Sequence, residues 1–181
     1  MSDTLLDRFV RYAKHDTQAD ERSATYPSTP GQLVLGKLLR DELLAMGFAD
    51  ARQTEHGIVH ATIPSNVKDK VPTIAFLAHV DTSPEFSGKG VKPQVIRNYP
   101  GGDIVLPGDP SRVIRVSESP ELTALVGKTL ITTDGTTLLG ADDKAGVAVV
   151  MELAKTLAEN PDIPHGDVKV CFTCDEEIGH G

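Results

Sequence analysis

Apolar positions divide the chain into alternating helical and strand-like stretches. Leu5, Leu6, Phe9, Val10 and Ala13 recur at helical spacing and predict a first helix. Thr29-Pro30 is a helix start, and Leu33, Leu35, Leu38, Leu39, Leu43, Leu44 and Met46 continue it as an amphipathic face up to Gly47. Ala51 to Glu55 and Ile58 to Pro64 read as two strands around His56-Gly57. Val67 to Lys70 is a charged turn. Thr73 to Ala78 is a continuous apolar run, as expected of a strand covered on both faces. Ser83 to Ser111 is rich in Gly and Pro and predicts a long loop. A short helix follows from Ser119-Pro120 to Leu125. Thr129 to Thr133 and Thr136 to Leu139 predict a hairpin about Asp134-Gly135. Lys144 to Leu157 is a helix with small residues at its start, and Asp167 to Thr173 a last strand. Helices alternating with buried strands predict an α/β fold with helices on both faces of the sheet.

Three clusters of acid or histidine follow apolar runs. They are His79-Val80-Asp81, Asp142-Asp143-Lys144 and Asp175-Glu176-Glu177. Strands that deliver such groups at their C-terminal ends suggest one shared site at a sheet edge. Neutral imidazole with several carboxylates is the donor set of a hydrolytic metal centre. His79 and Asp81 stand two apart and share a side of an extended segment, so the carboxylate can hold the imidazole nitrogen that a metal does not use. Asp142 and Asp143 occupy a Gly-flanked bend, where one carboxylate can bridge two cations and the other can cap the helix that follows. Of Glu176 and Glu177, one can bind metal and the other hold a water as general base. Taken singly, each cluster also fits an ordinary role: a surface His beside an N-cap, a helix cap, an acidic helix start. Their recurrence at three strand ends favours the metal site.

Composition narrows the function classes. The 181 residues are 39% hydrophobic and 24% charged, enough for one domain with a core. The net charge of −8 opposes a nucleic-acid partner, because no basic excess meets phosphates. No apolar run is long enough to span a bilayer, so no membrane partner is expected. Met1-Ser2-Asp3-Thr4 lacks a basic segment followed by an apolar one, which predicts no secretory signal and a cytoplasmic protein. Cys171 and Cys174 form C-x-x-C without a second pair, inside a strand-like run that turns them to opposite faces; they read as small residues in a reducing compartment. Gly127-Lys128-Thr129 resembles the end of a phosphate loop, but Leu122 stands where that motif needs glycine.

Five segments together resemble the M20 metallopeptidase family, and within it the branch that cleaves tripeptides. They are Leu77 to Pro84 (LAHVDTSP), Tyr99 to Ile104 (YPGGDI), Thr129 to Gly146 (TLITTDGTTLLGADDKAG), Ile163 to Asp167 (IPHGD) and Phe172 to Gly179 (FTCDEEIG). Pro27 to Gln32 (PSTPGQ) is similar too. The resemblance implies a zinc-exopeptidase-like catalytic domain, with a mixed, mostly parallel sheet flanked by helices. It implies a pair of Zn2+ ions per complete site, His79 on one, Glu177 on the other and Asp142 bridging both. Asp81 would orient His79, Glu176 would be the general base, and the Asp142–Asp143 peptide would be cis. The implied activity is removal of the N-terminal residue from a tripeptide. The family's length, more than twice this one, and the stop just after an acidic cluster lead us to expect residues 1–181 to be the N-terminal part of a catalytic domain. A lid or dimerisation domain, the remaining ligands and further strands would then lie elsewhere, leaving apolar edges exposed. Another M20 peptidase or deacylase, or a non-catalytic metal-binding module, remains open on these residues.

Overall fold

The computed structural model describes residues 4–181; Met1 to Asp3, used above in reading the N-terminus for a leader, lie outside them. Helix α1 (Leu5–Ala13) opens with a capping box, in which the Thr4 hydroxyl accepts the Asp7 N–H and the Asp7 carboxylate accepts that of Thr4. Helix α2 (Pro30–Ala45) has Pro at its first position and stops before Gly47, which takes φ +100°. Strands β1 (Arg52–Gln53) and β2 (Val59–Ile63) form the expected hairpin around Gly57. Strand β3 (Ile74–His79) pairs in parallel with strand β8 (Val168–Thr173), and β8 pairs antiparallel with β2. The four-stranded order is β1-β2-β8-β3. The α/β class, with a mixed sheet and flanking helices, is as expected; its parallel part is the β3–β8 pair.

One face of this sheet carries the core. Val59, Ala61 and Ile63 of β2 stand in register with Phe172, Val170 and Val168 of β8, and all are buried. Leu35, Leu39 and Leu43 of α2 join them in one cluster, with Val147, Met151 and Ala154 of helix α3 (Ala141–Glu159). The opposite face, with His60, Thr62, Lys169 and Cys171, stays partly open. The helices therefore share one face rather than covering two. β3 lies at the sheet edge and exposes Ile74, Phe76 and Leu77, the last at 64%. The covered strand predicted from its apolar run is corrected, whereas the exposed apolar edge implied by the resemblance is present.

Two other expectations change. The loop from Ser83 to Ser111 contains β4 (Gln94–Ile96) and β5 (Ile104–Val105), which pair with β7 (Leu130–Thr132) and β6 (Val113–Ile114). Strands of two or three residues are too short to show an alternating pattern. They surround a small second core of Tyr99, Ile104, Leu106 and Leu122. Asp134-Gly135 is a turn, with Asp134 Oδ1 accepting the Thr136 N–H at 2.9 Å, but β7 finds its partner in β4, and 136–139 forms no strand.

The α1 stripe is also rotated from its apolar reading. Arg8, Phe9, Tyr12 and Ala13 are buried, while Leu5 is 43% exposed. Arg8 reaches the Glu42 carboxylate, and its Nη1 donates to the Tyr12 hydroxyl at 3.0 Å. Arg11 Nη2 and the Tyr12 hydroxyl also donate to Glu42, at 2.7 and 2.6 Å. This network fastens α1 to α2, and Glu152 of α3 lies 3.5 Å from Arg8 Nε. Removing one partner of a buried ion pair leaves an uncompensated charge. Glu42→Ala is therefore expected to destabilise the chain by about 3 kcal/mol. Urea unfolding reads this as a lower midpoint at unchanged slope.

Candidate metal centre

The C-terminal ends of β3 and β8 lie side by side, with His79 opposite Thr173. That register brings the first and third clusters together. The His79 ring is nearly buried and has two differently occupied nitrogens. Nδ1 lies 3.1 Å from the Asp81 backbone oxygen and 3.4 Å from its carboxylate. Nε2 faces outward, 3.0 Å from Asp142 Oδ1 and 3.6 Å from Glu176 Oε2.

Asp81 is fully buried, and its shortest contacts are not with the imidazole. Oδ1 accepts the Glu176 N–H at 3.1 Å and Oδ2 the Glu177 N–H at 3.0 Å. One carboxylate thus ties the exit of β3 to the exit of β8. The expected contact with His79 exists, but the backbone carbonyl of Asp81 is the nearer partner. The two amide bonds had no signal in residue spacing, because they need the parallel pairing of strands that are far apart in sequence.

The second cluster arrives on a loop and not on a strand. Gly140 takes φ +73°, which turns the chain sharply into α3. The helix is regular only from Lys144, since Asp142 and Asp143 keep non-helical backbone angles and the peptide between them is cis. The adjacent acids separate here. Asp143 Oδ1 caps the helix by accepting the Gly146 N–H at 3.0 Å. A Cβ on Gly146 would stand 2.2 Å from that oxygen, so glycine leaves room for the cap. The Asp142 side chain is 87% exposed and turns to His79. Lys144 is buried, and its Nζ donates to the His15 carbonyl at 2.6 Å. Burial pulls its pKa down to about 8, against the opposing pull of Asp16 and Asp81.

Donor atoms of His79, Asp142 and Glu177 all lie within 4.8 Å of one another. Glu176 sits at the rim, half-exposed. Burial lowers the His79 pKa, but the Asp81 and Asp142 carboxylates more than reverse this and raise it to about 9. Burial raises the Glu177 pKa, and the charges of Asp142, Asp81 and Glu176 push the same way against His79. A cation among these groups would relieve that repulsion. One imidazole nitrogen with carboxylate oxygens also suits a borderline divalent ion. The residues therefore fit a metal. The cysteines stand apart from this set: both are free thiols, and burial, with the charges of Asp175 and Asp81, pushes Cys174 up to about 12.

A family model described as peptidase family M20/M25/M40 matches residues 132–181. Over 98% of its length the chain is 53% identical to peptidase T of Halothermothrix orenii, covering 43% of that protein. It is likewise 53% identical over 100% of its length to peptidase T of Bacillus subtilis, covering 44%. The chain is thus similar to proteins of peptidase family M20. The M20 likeness extends to the fold: the crystal structure of the aminopeptidase PepT from Bacillus cereus superposes with a TM-score of 0.62 at 27% identity, over 97% of this chain and 37% of that one. The chain thus spans less than half the length of these M20 relatives.

His79 gives a direct test of the electrostatics. Its folded pKa lies above the ordinary 6.5, so its pairing stabilises the metal-free fold fully below 6.5, and that contribution is lost as pH rises through about 9. Nuclear magnetic resonance on the metal-free chain is expected to find the ring titrating near pH 9, and Asp81→Asn to move that midpoint down. A midpoint at 6.5 in the unaltered chain would contradict the geometry.

Proposed function

We propose that the protein to which these residues belong is a metal-dependent aminopeptidase that releases the N-terminal residue of tripeptides, and that residues 1–181 are the N-terminal part of its catalytic domain. The observation that carries this reading is the convergence of His79, Asp142 and Glu177. The relatives named peptidase T support the peptide substrate. Among the described residues no helix is long and apolar enough to cross a membrane, which fits the cytoplasmic setting we propose.

In this reading zinc would be held by His79, Glu177 and Asp142, with His79 serving one ion, Glu177 the other and Asp142 both. Bound zinc supplies Lewis-acid polarisation of the scissile carbonyl and acidifies water. His79 presents Nε2 while Asp81 fixes the ring, as a carboxylate behind a ligating imidazole does. Glu176 is the general base. Its half-exposed carboxylate, 3.6 Å from the outward nitrogen of His79, can take a proton from the attacking water and return it to the leaving amine. Its backbone N–H is held by Asp81, which fixes the root of the side chain.

The test is amino-acid release by the full-length protein from a free tripeptide and from the same peptide blocked at its N-terminus. Release from the free peptide alone is expected; cleavage of the blocked peptide would point to a different exopeptidase or deacylase specificity. Glu176→Ala is expected to lose about a hundred- to ten-thousand-fold in kcat with its metal content unchanged. Retained turnover would remove Glu176 from the base role.

A further inference from the structure

The segment Pro27 to Gln32 has no part in the chemistry above, yet it is bonded to the third acidic cluster. Asp175, first of that cluster, turns inward and is 1% exposed. Ser28 donates its N–H to Asp175 Oδ2 at 2.6 Å and its hydroxyl to Oδ1 at 2.5 Å. Gln32 Nε2 donates to the same Oδ1 at 2.6 Å, and Gln32 Oε1 accepts the Asp175 N–H at 3.1 Å. The Gln32 amide is thus used at both ends, which fixes its orientation. Gln32 is fully buried and Ser28 nearly so. The Ser28 hydroxyl also accepts the Asp20 N–H at 2.9 Å.

These bonds hold a backbone that Asp175 would not choose alone. It takes φ +58°, ψ +30°, the left-handed conformation that residues with a Cβ adopt less readily than glycine. A residue held there reverses the chain direction just after β8. The turn places the next two N–H groups against Asp81, the Glu177 side chain in the metal cluster and the Glu176 carboxylate 3.6 Å from His79 Nε2.

We propose that Ser28 and Gln32, acting through Asp175, are positioning residues for Glu176 and Glu177: they lock the left-handed turn that presents both carboxylates. This rests on the metallopeptidase reading above. A plain staple between α2 and β8 would contribute stability only. The positioning role also sets how well the site holds metal.

The experiment compares the full-length protein with its Gln32→Leu and Ser28→Ala variants and, as a control of stability distant from the site, Glu42→Ala. Zinc affinity is measured by calorimetry, and hydrogen exchange of the Glu176 and Glu177 amides by nuclear magnetic resonance. Gln32→Leu and Ser28→Ala are expected to lose protection at those two amides and to weaken zinc by about tenfold or more. Glu42→Ala is expected to lower the unfolding midpoint while leaving both readouts unchanged. Wild-type protection and zinc affinity in Gln32→Leu and Ser28→Ala, at reduced stability, would overturn the positioning role and leave the metal reading intact. Absence of zinc uptake by the unaltered full-length protein would instead overturn the metal reading, and the proposal with it.

Discussion

The buried carboxylate of Asp81 is the contact on which the site depends. It lies between two strand ends joined only by parallel pairing, and it accepts backbone N–H groups from one while standing behind the histidine of the other. Burial raises its pKa, but the bonds from His79, Glu177 and Glu176 outweigh this and keep it below the usual carboxylate range. A charge without solvent is tolerable only where donors surround it. Here those donors are the proposed ligand His79 and the roots of Glu176 and Glu177. Satisfying Asp81 and shaping the site are therefore the same event.

A second pattern runs through two of the clusters: adjacent acids do different work. Asp143 caps α3 while Asp142 faces the imidazole. Asp175 is bonded inward to Ser28 and Gln32 while Glu176 and Glu177 face outward. In each cluster an inward carboxylate fastens the backbone, which fixes where its neighbour points. Local backbone turns at Gly140 and Asp175 set the directions in which these neighbouring acids leave the chain.

Much of this was legible in the chain. The helical periods of 5–13, 30–45 and 144–157, the hairpin at Gly57 and the first and third acidic clusters lie where local pattern located them, whereas the strand expected before Asp142 is a loop. Local pattern failed where tertiary pairing decides. Thr73 to Ala78 has the composition of a covered strand but occupies an edge, since strand order is not written in a single run. Asp134-Gly135 gave the turn but not the partner of β7. The inward Arg8 escaped an apolar count because its match, Glu42, stands on another helix. Ser28, Gln32 and Asp175 escaped for the same reason, their bonds spanning more than 140 positions.

The central claim is that Asp81 holds the metal-binding arrangement together. Zinc titration of the full-length protein against its Asp81→Asn variant, with folding checked by circular dichroism, tests it most directly. An unchanged fold with zinc affinity reduced by about ten- to a hundredfold is predicted. Zinc affinity equal to that of the unaltered chain would contradict it.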